Sequence, residues 1–502
     1  MLDVSTSYIL TRYVQEENEG TLLLLGLVVG YVCVVPSLSF IPAADPYDEK
    51  RVLQIGLLLT AGIVFLASRD ARRIWLSTFV SLPRLARWGL AAVLGLGVLS
   101  STLAPAPFYA FLEVAHFGLL FVAAGVVASV VRRGPDQLQW ALLGAVVLSG
   151  LLYAVYFTAS YAAFVFISGL EVGRETISGF DNIRFFNQYQ TWTLPLFGAA
   201  LVAMPRQWRV GRGVLLGLMA LWWMLVFASN VRGTLLAMIV AAMGVWLLFR
   251  SASWSWIRVQ VLALGVGLGL YYVLFATGAP PVVEKVGEEV QYSRRLQQWL
   301  LCLEIVRENL LLGAGPMHFA WPPLNFVRTA HPHNALFQWL AEWGLPSTLA
   351  VSGLVTWGGW RWIDRECGGV EECDRAPRAL RVGLVASVLA GAAHALVSGL
   401  LVMPLSQVLL VLVGGWAWGR YRHRGEAGRN VRLVQARSVF FGLLLAAMAV
   451  VGTGLSDLAT TEERRAAFRD ATDRGSYSPR YWTQGYLYVE DPEVIERARR
   501  EW

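Results

Sequence analysis

The chain has 502 residues, of which 56% are hydrophobic and only 15% are charged. A soluble globular protein carries roughly 25% charged residues, so this composition excludes a soluble domain and indicates a polytopic membrane protein. The formal net charge is +7, and the basic residues lie in short loops between apolar runs. This distribution relates the charge to membrane topology and not to nucleic-acid binding.

Thirteen apolar runs are predicted to cross the membrane, because each approaches the roughly 20 residues that span about 30 Å of hydrocarbon. The first run begins at Thr21 after an acidic stretch and without a basic n-region, so we expect a retained helix and not a signal peptide. Pro404 divides the segment 382–419, which is too long for one crossing, into two predicted spans. The pattern predicts an all-α bundle of about 12–13 transmembrane helices. The spans are 21–41, 52–68, 88–104, 109–131, 138–167, 191–204, 214–228, 233–249, 259–276, 346–360, 382–401, 405–419 and 438–456.

Arginine residues mark every second loop between these spans. By the positive-inside rule these loops lie in the cytoplasm, which places the amino terminus inside and the tail beyond the last span outside. The intervening segments then face outward. The arginine-rich loops are 69–87, 132–137, 205–213, 250–258, 361–381 and 420–437.

Two outward segments stand apart by their length. Residues 277–345 form a loop with its own helix over 290–309, whose apolar face is suited to lie on the membrane surface. The tail, 457–502, is polar, is expected to be helical in two pieces, and has too few apolar residues to bury a core by itself. We therefore divide the chain into a transmembrane domain, 1–456, and this tail.

Arginines on the outward side are unexpected under the positive-inside rule and therefore indicate anionic partners. Guanidinium groups bind phosphate oxygens bidentately and stay charged at any working pH. The pattern indicates a diphosphate clamp, and the alternative is that these side chains extend to lipid headgroups. The candidates are Arg184, Arg232, Arg294 and Arg295.

Two histidines precede an apolar helix in His331-Pro-His333-Asn334, with Glu342 about two turns further on. Histidine is the side chain best suited to move a proton near neutral pH. The alternative is a pair of solvated residues, or an imidazole that caps the helix beginning at Asn334. Zinc binding is not predicted, because no third ligand accompanies the pair. We expect a general base.

Four motifs in this order resemble the superfamily of O-antigen ligases and polymerases, bacterial membrane glycosyltransferases that include protein O-oligosaccharyltransferases. The resemblance covers roughly 180 to 345. The motifs are Phe180-Asp-Asn-Ile-Arg184-Phe-Phe-Asn187-Gln188; Ser229-Asn-Val-Arg232-Gly233; Ser293-Arg-Arg295-Leu-Gln-Gln-Trp299 with Gly313-Ala-Gly315-Pro; and His331-Pro-His333-Asn334 with Glu342-Trp-Gly344.

The resemblance implies an undecaprenyl-diphosphate-linked glycan as donor, with no nucleotide sugar and no obligatory metal or other cofactor. It implies that His333, with His331, supplies the base and that Arg232 and Arg295 bind the diphosphate. Arg294 stands where the family often has a small residue, so either neighbour of the pair is a candidate. Asn187, Gln188, Asn334 and Glu342 would support the site. The location implied is the bacterial inner membrane, with the long loop and the tail in the periplasm.

The expected reaction is inverting transfer of the glycan to an acceptor hydroxyl. The acceptor stays open between the lipid A core and a protein serine or threonine, as in a ligase, and a second lipid-linked repeat, as in a polymerase. A non-enzymatic transporter or flippase of a lipid-linked anion is the alternative from another class. Such a protein should carry charge deep inside its spans, whereas these spans read as nearly free of charge.

Overall fold

The computed structural model of the chain describes residues 19–41, 44–168, 176–275, 289–321, 329–421 and 433–461, and 463, 466, 479–483, 485 and 487 of the tail. For 289–294 and 433–439 it describes the backbone alone. Within these ranges the chain is helical and forms no strand, which confirms the predicted all-α class. The helices are α1 (Glu19–Val34), α2 (Pro46–Ala67), α3 (Arg69–Val80), α4 (Arg84–Leu103), α5 (Pro107–Arg133), α6 (Asp136–Ala163), α7 (Ile183–Ala203), α8 (Arg209–Ser229), α9 (Arg232–Phe249), α10 (Trp254–Leu274), α11 (Glu289–Glu308), α12 (Ala335–Cys367), α13 (Arg375–Ala395), α14 (Pro404–Arg420) and α15 (Leu433–Thr453).

Each predicted span coincides with one of these helices. Eight helical stretches among the described residues are long and apolar enough to cross a membrane by themselves. The division at Pro404 is confirmed, because α13 ends at Ala395 and α14 begins at Pro404. The helix expected within the long outward segment is α11. The chain is a multi-pass membrane protein.

Helix α3 lies inside the 69–87 loop, where no helix is predicted. Ser68 caps it by accepting a hydrogen bond from the Ala71 N–H at 3.1 Å. At 12 residues it is too short to cross the bilayer. Its Trp75 is buried and donates from Nε1 to the Val122 carbonyl of α5 at 2.9 Å, so the helix packs against the bundle.

Helix α7 forms the centre of the bundle, and its side chains from Phe186 to Ala199 are buried. Small residues on α13 allow the two helices to approach closely. A Cβ at Gly391 would lie 2.3 Å from the Trp192 ring, and one at Gly383 would lie 2.4 Å from the Ala199 Cβ. Such small-residue contacts are typical of helix packing in membranes.

The predicted arginine-rich loops meet at one end of the bundle, which we call the arginine end. The Arg132 guanidinium donates to Ser81 Oγ, which joins two of these loops. Ser251 Oγ donates to Glu371 at 2.6 Å and joins two others. Arg420 and Glu366 form an ion pair of 2.7 Å there. Arg420 also donates to Gln139, just after the 132–137 loop, at 2.6 Å, and Arg375 lies within electrostatic range of Arg206 and Arg212, so the described parts of these loops group at one end as predicted. We call the opposite end, with His331 and His333, the histidine end.

Candidate functional site

The two predicted histidines stand immediately before α12. Asn334 caps this helix as expected, because its side-chain oxygen accepts hydrogen bonds from the Leu336 and Phe337 N–H groups at 2.9 and 3.0 Å. His331 is buried, whereas His333 is partly exposed. Their rings meet edge to face with centroids 4.2 Å apart. The cap and the ring contact together fix the histidine pair at the amino-terminal end of the helix.

The backbone of His333 is left-handed, with a φ of 53°. Its N–H donates to Nδ1 of His331 at 3.3 Å. Because a backbone amide can only donate, the proton of a neutral His331 must reside on Nε2. Gly399 leaves room beneath this ring, since a Cβ there would lie 2.6 Å from Cε1 of His331. His331 is therefore held in one tautomer, and His333 is the more accessible imidazole.

Both imidazoles are neutral at physiological pH. Burial, reinforced by the guanidinium groups of Arg480 and Arg184, lowers the pKa of His331 to about 3. Burial also lowers the pKa of His333 well below its ordinary value, and His331, Arg184 and Arg295 act in the same direction. Two of the predicted arginines, Arg184 and Arg295, thus lie close enough to the pair to act on it electrostatically. A neutral imidazole is the form that can accept a proton.

These two arginines come from different elements. Arg184 is half-buried in the first turn of α7, and Arg295 is exposed on α11. Trp299, one turn after Arg295, ties α11 to the histidines because its Nε1 donates to the Pro332 carbonyl at 3.2 Å. The side chain of Arg294 lies outside the described residues.

Arg232 is carried by the short turn between α8 and α9, where it is exposed as the first residue of α9. The His394 ring of α13 lies beside this turn, since a Cβ at Gly233 would be 2.5 Å from Nε2 of His394. Arg295 acts electrostatically on both His333 and His394. The turn with Arg232 therefore lies beside His394, and Arg295 is within electrostatic range of both His394 and the histidine pair.

Asn187, predicted as a supporting residue, fixes this turn from α7. Its Nδ2 donates to Ser229 Oγ at 3.0 Å, and its backbone oxygen accepts from Thr234 Oγ1 at 2.9 Å. The two partners flank Arg232 in sequence. Asn187 thus holds the element that carries this arginine.

Gln188 reaches the opposite side of the site, where its Nε2 donates to Ser398 Oγ at 3.1 Å. Ser398 precedes the glycine on which the His331 ring rests. Among the described residues, the side-chain oxygens of Asn187 and Gln188 are buried and accept no hydrogen bond. Each such oxygen costs about 1–3 kcal/mol.

Glu342 lies beside a break in α12. Gly344 has φ and ψ of 77° and 171°, which interrupt the helix. A Cβ at Gly344 would lie 2.3 Å from the Leu311 carbonyl oxygen, and one at Gly313 would lie 2.4 Å from the Glu342 carbonyl. Gly315 donates from its N–H to the Glu342 carbonyl at 3.1 Å. The glycines of both motifs are therefore needed for two backbone segments to touch.

The carboxylate of Glu342 binds an arginine that the sequence reasoning missed. Arg480 of the tail places Nη2 2.6 Å from Glu342 and 2.7 Å from Glu113 of α5. Glu342 also accepts a hydrogen bond from the Phe319 N–H at 3.1 Å. The local signal for Arg480 is weak, a Pro-Arg-Tyr-Trp run in a polar tail. Residues 479–483 form bends and a turn where the second helical piece is expected.

The expectation that the spans are nearly free of charge is wrong at the histidine end. Residues 46–51, expected in an outward loop, form the first turns of α2, and Asp48, Glu49, Lys50 and Arg51 are buried there. Charge deep in the bundle is tolerated because polar groups surround it. Arg51 alone donates to Gln54, Gln407, Tyr47 and the carbonyls of Val402 and Tyr481.

A further histidine at this end, His318, has a structural role. Its Nε2 accepts from the Ala106 N–H at 3.0 Å, and its Nδ1 therefore carries the proton that bonds the Pro316 carbonyl at 2.9 Å. Across the described ranges, no cluster of three or more His, Cys, Asp or Glu side chains could hold a metal ion. Metal independence itself stays a prediction.

Comparison with known families identifies the part of the chain that carries the site. Residues 215–352 match the family model described as O-antigen ligase. No curated protein matches the chain. The matched region contains the turn with Arg232, helix α11 and the histidine pair, whereas Arg184 and Arg480 lie outside it. This domain supports the resemblance of the chain to the O-antigen ligase superfamily and, at a coarse level, a function in glycan transfer.

Proposed function

We propose that this protein transfers a glycan from an undecaprenyl-diphosphate carrier to an acceptor hydroxyl at the periplasmic face of the bacterial inner membrane. The observation that carries the proposal is the neutral His331–His333 pair with Arg184 and Arg295 close by, inside and beside the O-antigen ligase domain. A proton acceptor next to fixed positive charge suits a reaction that deprotonates a hydroxyl and releases a diphosphate.

His333 acts as the general base in this proposal. It accepts the proton of the acceptor hydroxyl as that oxygen attacks the anomeric carbon of the donor sugar. The bond from the anomeric carbon to the phosphate oxygen breaks, and its electron pair leaves with the lipid diphosphate. One displacement of this kind inverts the anomeric centre. His333 is preferred to His331 because it is more accessible and because Nδ1 of His331 already accepts the His333 N–H.

The arginines stabilise the negative charge that develops on the leaving diphosphate. Arg295 and Arg184 lie within electrostatic range of the base, and Arg232 projects from the adjoining turn. Their positions on α11, α7 and α9 surround the place where the donor headgroup would lie. Fixed cations of this kind favour the transition state over the ground state, because the charge is greatest as the sugar departs.

Two acceptor classes fit this chemistry. A ligase would use the lipid A core or a protein serine or threonine, and a polymerase would use a second lipid-linked repeat. Both acceptor classes present a hydroxyl group to the same base. The same site therefore supports both, with the ligase reaction as the first proposal.

The test uses purified full-length protein, a labelled undecaprenyl-diphosphate glycan and each acceptor in turn. We expect label to move to one acceptor without nucleotide or metal. The His333→Ala variant should slow the transfer by about 10²- to 10⁴-fold. Trp360→Ala, which removes a side chain that is 63% exposed on the far part of α12, is the matched control and should keep wild-type rates.

Two results would contradict the proposal. Unchanged transfer by the His333→Ala protein would remove the base assignment. Absence of transfer to every acceptor, together with movement of the donor between leaflets of liposomes, would favour a transporter. That second reading gains weight from the buried charges Arg51 and Glu113, which is why the liposome measurement belongs in the same experiment.

A further inference from the structure

The tail strap, which we define as residues 479–483, 485 and 487, packs on the histidine end of the bundle. Tyr481, Trp482 and Leu487 are all buried within it. The Leu487 N–H donates to the Ala320 carbonyl at 3.1 Å, which joins the strap to the segment that precedes the histidine pair. The strap is thus part of the packed interior of this end.

The strap is anchored on the first turns of α2. The Thr483 N–H donates to Asp48 at 2.7 Å, and Arg51 Nε donates to the Tyr481 carbonyl at 3.0 Å. The Arg51 guanidinium also lies over the Tyr481 ring, 4.9 Å from its centroid. These contacts fix the backbone immediately after Arg480, so its side chain has a defined origin.

The Arg480 side chain bridges two carboxylates from distant helices. It is 2% exposed, and one of its nitrogens is 2.7 Å from Glu113 of α5 and 2.6 Å from Glu342 of α12. Arg51, Glu113 and Arg480 line one cavity of about 20 Å³, so a second guanidinium group lies close to this bridge. Removing one member of such a buried group leaves an uncompensated charge.

Gln338, one turn before Glu342, adds a further contact to the bridge. With its side-chain oxygen turned to the guanidinium, it accepts from Nη1 and Nη2 of Arg480 at 2.6 and 3.0 Å. Both residues lie in the first part of α12, on the histidine side of the Gly344 break. Arg480 therefore contacts this short helical piece at two successive turns.

The helical piece 335–343 needs contacts with other parts of the chain to stay folded. The break at Gly344 separates it from the long remainder of α12, and a helix this short is not stable by itself. The histidine pair forms its amino-terminal end. We propose that Arg480 is a positioning residue for His331 and His333, because it fastens the helical piece that carries them to α5. This inference rests on the proposed glycan transfer for its kinetic test.

The kinetic test compares Arg480→Ala and Arg480→Lys with the wild-type chain in nanodiscs. A misplaced base lowers kcat, whereas the donor diphosphate is still bound by other arginines. We therefore expect kcat of Arg480→Ala to fall by about 10²-fold and KM for the donor to change by less than about threefold. Arg480→Lys, which keeps the charge but not the bridging geometry, should recover part of kcat.

The matched control is Arg420→Ala, which breaks the ion pair between Arg420 of α14 and the buried Glu366 of α12 at the arginine end. Its partner Glu366 lies roughly 35 Å further along the helix than Glu342, at 1.5 Å per residue. We expect this variant to lower the unfolding temperature and to keep kcat. Equal loss of kcat in Arg480→Ala and Arg420→Ala would mean general destabilisation and would overturn the proposal, as would wild-type kcat in Arg480→Ala.

Amide hydrogen exchange tests the same inference without turnover. Peptides that cover 329–343 should exchange faster in Arg480→Ala and at wild-type rates in Arg420→Ala. Unchanged exchange of these peptides in Arg480→Ala would overturn the positioning role. A wild-type protein that transfers no glycan would instead overturn the proposed function, and the exchange result would still decide whether Arg480 holds the histidine pair.

Discussion

At the scale of single residues, the site depends on how each polar group is oriented. The His333 N–H fixes the tautomer of His331, and the left-handed backbone of His333 accompanies an edge-to-face contact between the two rings. The motif around the histidines could be identified from the sequence because its members are neighbours in the chain. Arg480 could not, since its partner Glu113 is 367 positions away and only the folded bundle brings them together.

The first prediction concerns acid stability. The pKa of His331 is about 3 in the folded protein and about 6.5 in an unfolded chain, so between these values the unfolded chain binds the extra proton. Stability should therefore fall as the pH drops below about 6.5. Unfolding temperatures from tryptophan fluorescence between about pH 7.5 and 5 measure this effect. His331→Asn should flatten the dependence without removing it, because burial also lowers the pKa of His318, to about 4. An identical slope in His331→Asn would contradict the assignment.

The second prediction concerns Arg295, which is exposed on α11 and acts electrostatically on the proposed base, His333. Arg295→Ala should lower kcat/KM for the lipid-linked donor by about 10²-fold, because a cation that stabilises the leaving group is lost. Arg206, an equally exposed arginine at the arginine end, provides the control, and Arg206→Ala should keep the wild-type value. Initial rates at varied donor concentration measure both. A similar change in both variants would indicate a general effect of surface charge.

At the scale of elements, the apolar runs determine where the helices form, and the breaks in them determine where the residues of the site lie. Run length and Pro404 were sufficient to predict the positions of the membrane helices. The sequence did not reveal that α12 extends from Ala335 to Cys367 through a break, because Gly344 is compatible with either a helix end or a kink. The distinction requires the contact with Gly313, which is long-range.

The third prediction concerns the turn that carries Arg232. In Gly233→Ala the new Cβ would lie 2.5 Å from Nε2 of His394, whose Nδ1 is bonded to Thr191 at 2.7 Å. Because that ring is held, the turn must shift and Arg232 with it. We expect kcat/KM to fall by about 10-fold or more. Gly217→Ala on α8 is the control, since its Cβ would meet nothing within 4 Å, and activity should be unchanged. Full activity in Gly233→Ala would show that the turn tolerates the shift.

At the scale of the whole molecule, the bundle has two chemically different ends. One gathers the arginine-rich loops, and the other gathers the histidines, the outward arginines and the tail strap. Their separation was predictable because the charge bias alternates from loop to loop. The packing of a polar tail into the second end was not, because its few apolar residues gave no periodic signal.

The fourth prediction assigns these ends to sides of the membrane. Leu311 is 66% exposed at the histidine end, and Arg206 is exposed at the arginine end. With Cys367 and Cys373 replaced by serine, a membrane-impermeant maleimide should label Leu311→Cys in intact spheroplasts. Arg206→Cys should react only after permeabilisation. The reverse pattern would invert the proposed topology.

The position of Arg480 in the chain has a consequence for biogenesis. A ribosome makes this residue after α1 to α15, so the helices must enter the bilayer and associate while Glu113 and Glu342 still lack their shared cation. Until then the two carboxyl groups have to be protonated or hydrated, and the helical piece with the histidines is unfastened. Capture of the tail therefore follows the synthesis of every membrane helix, and under the proposed role of Arg480 a nascent chain without the tail would not yet hold the histidine pair in place.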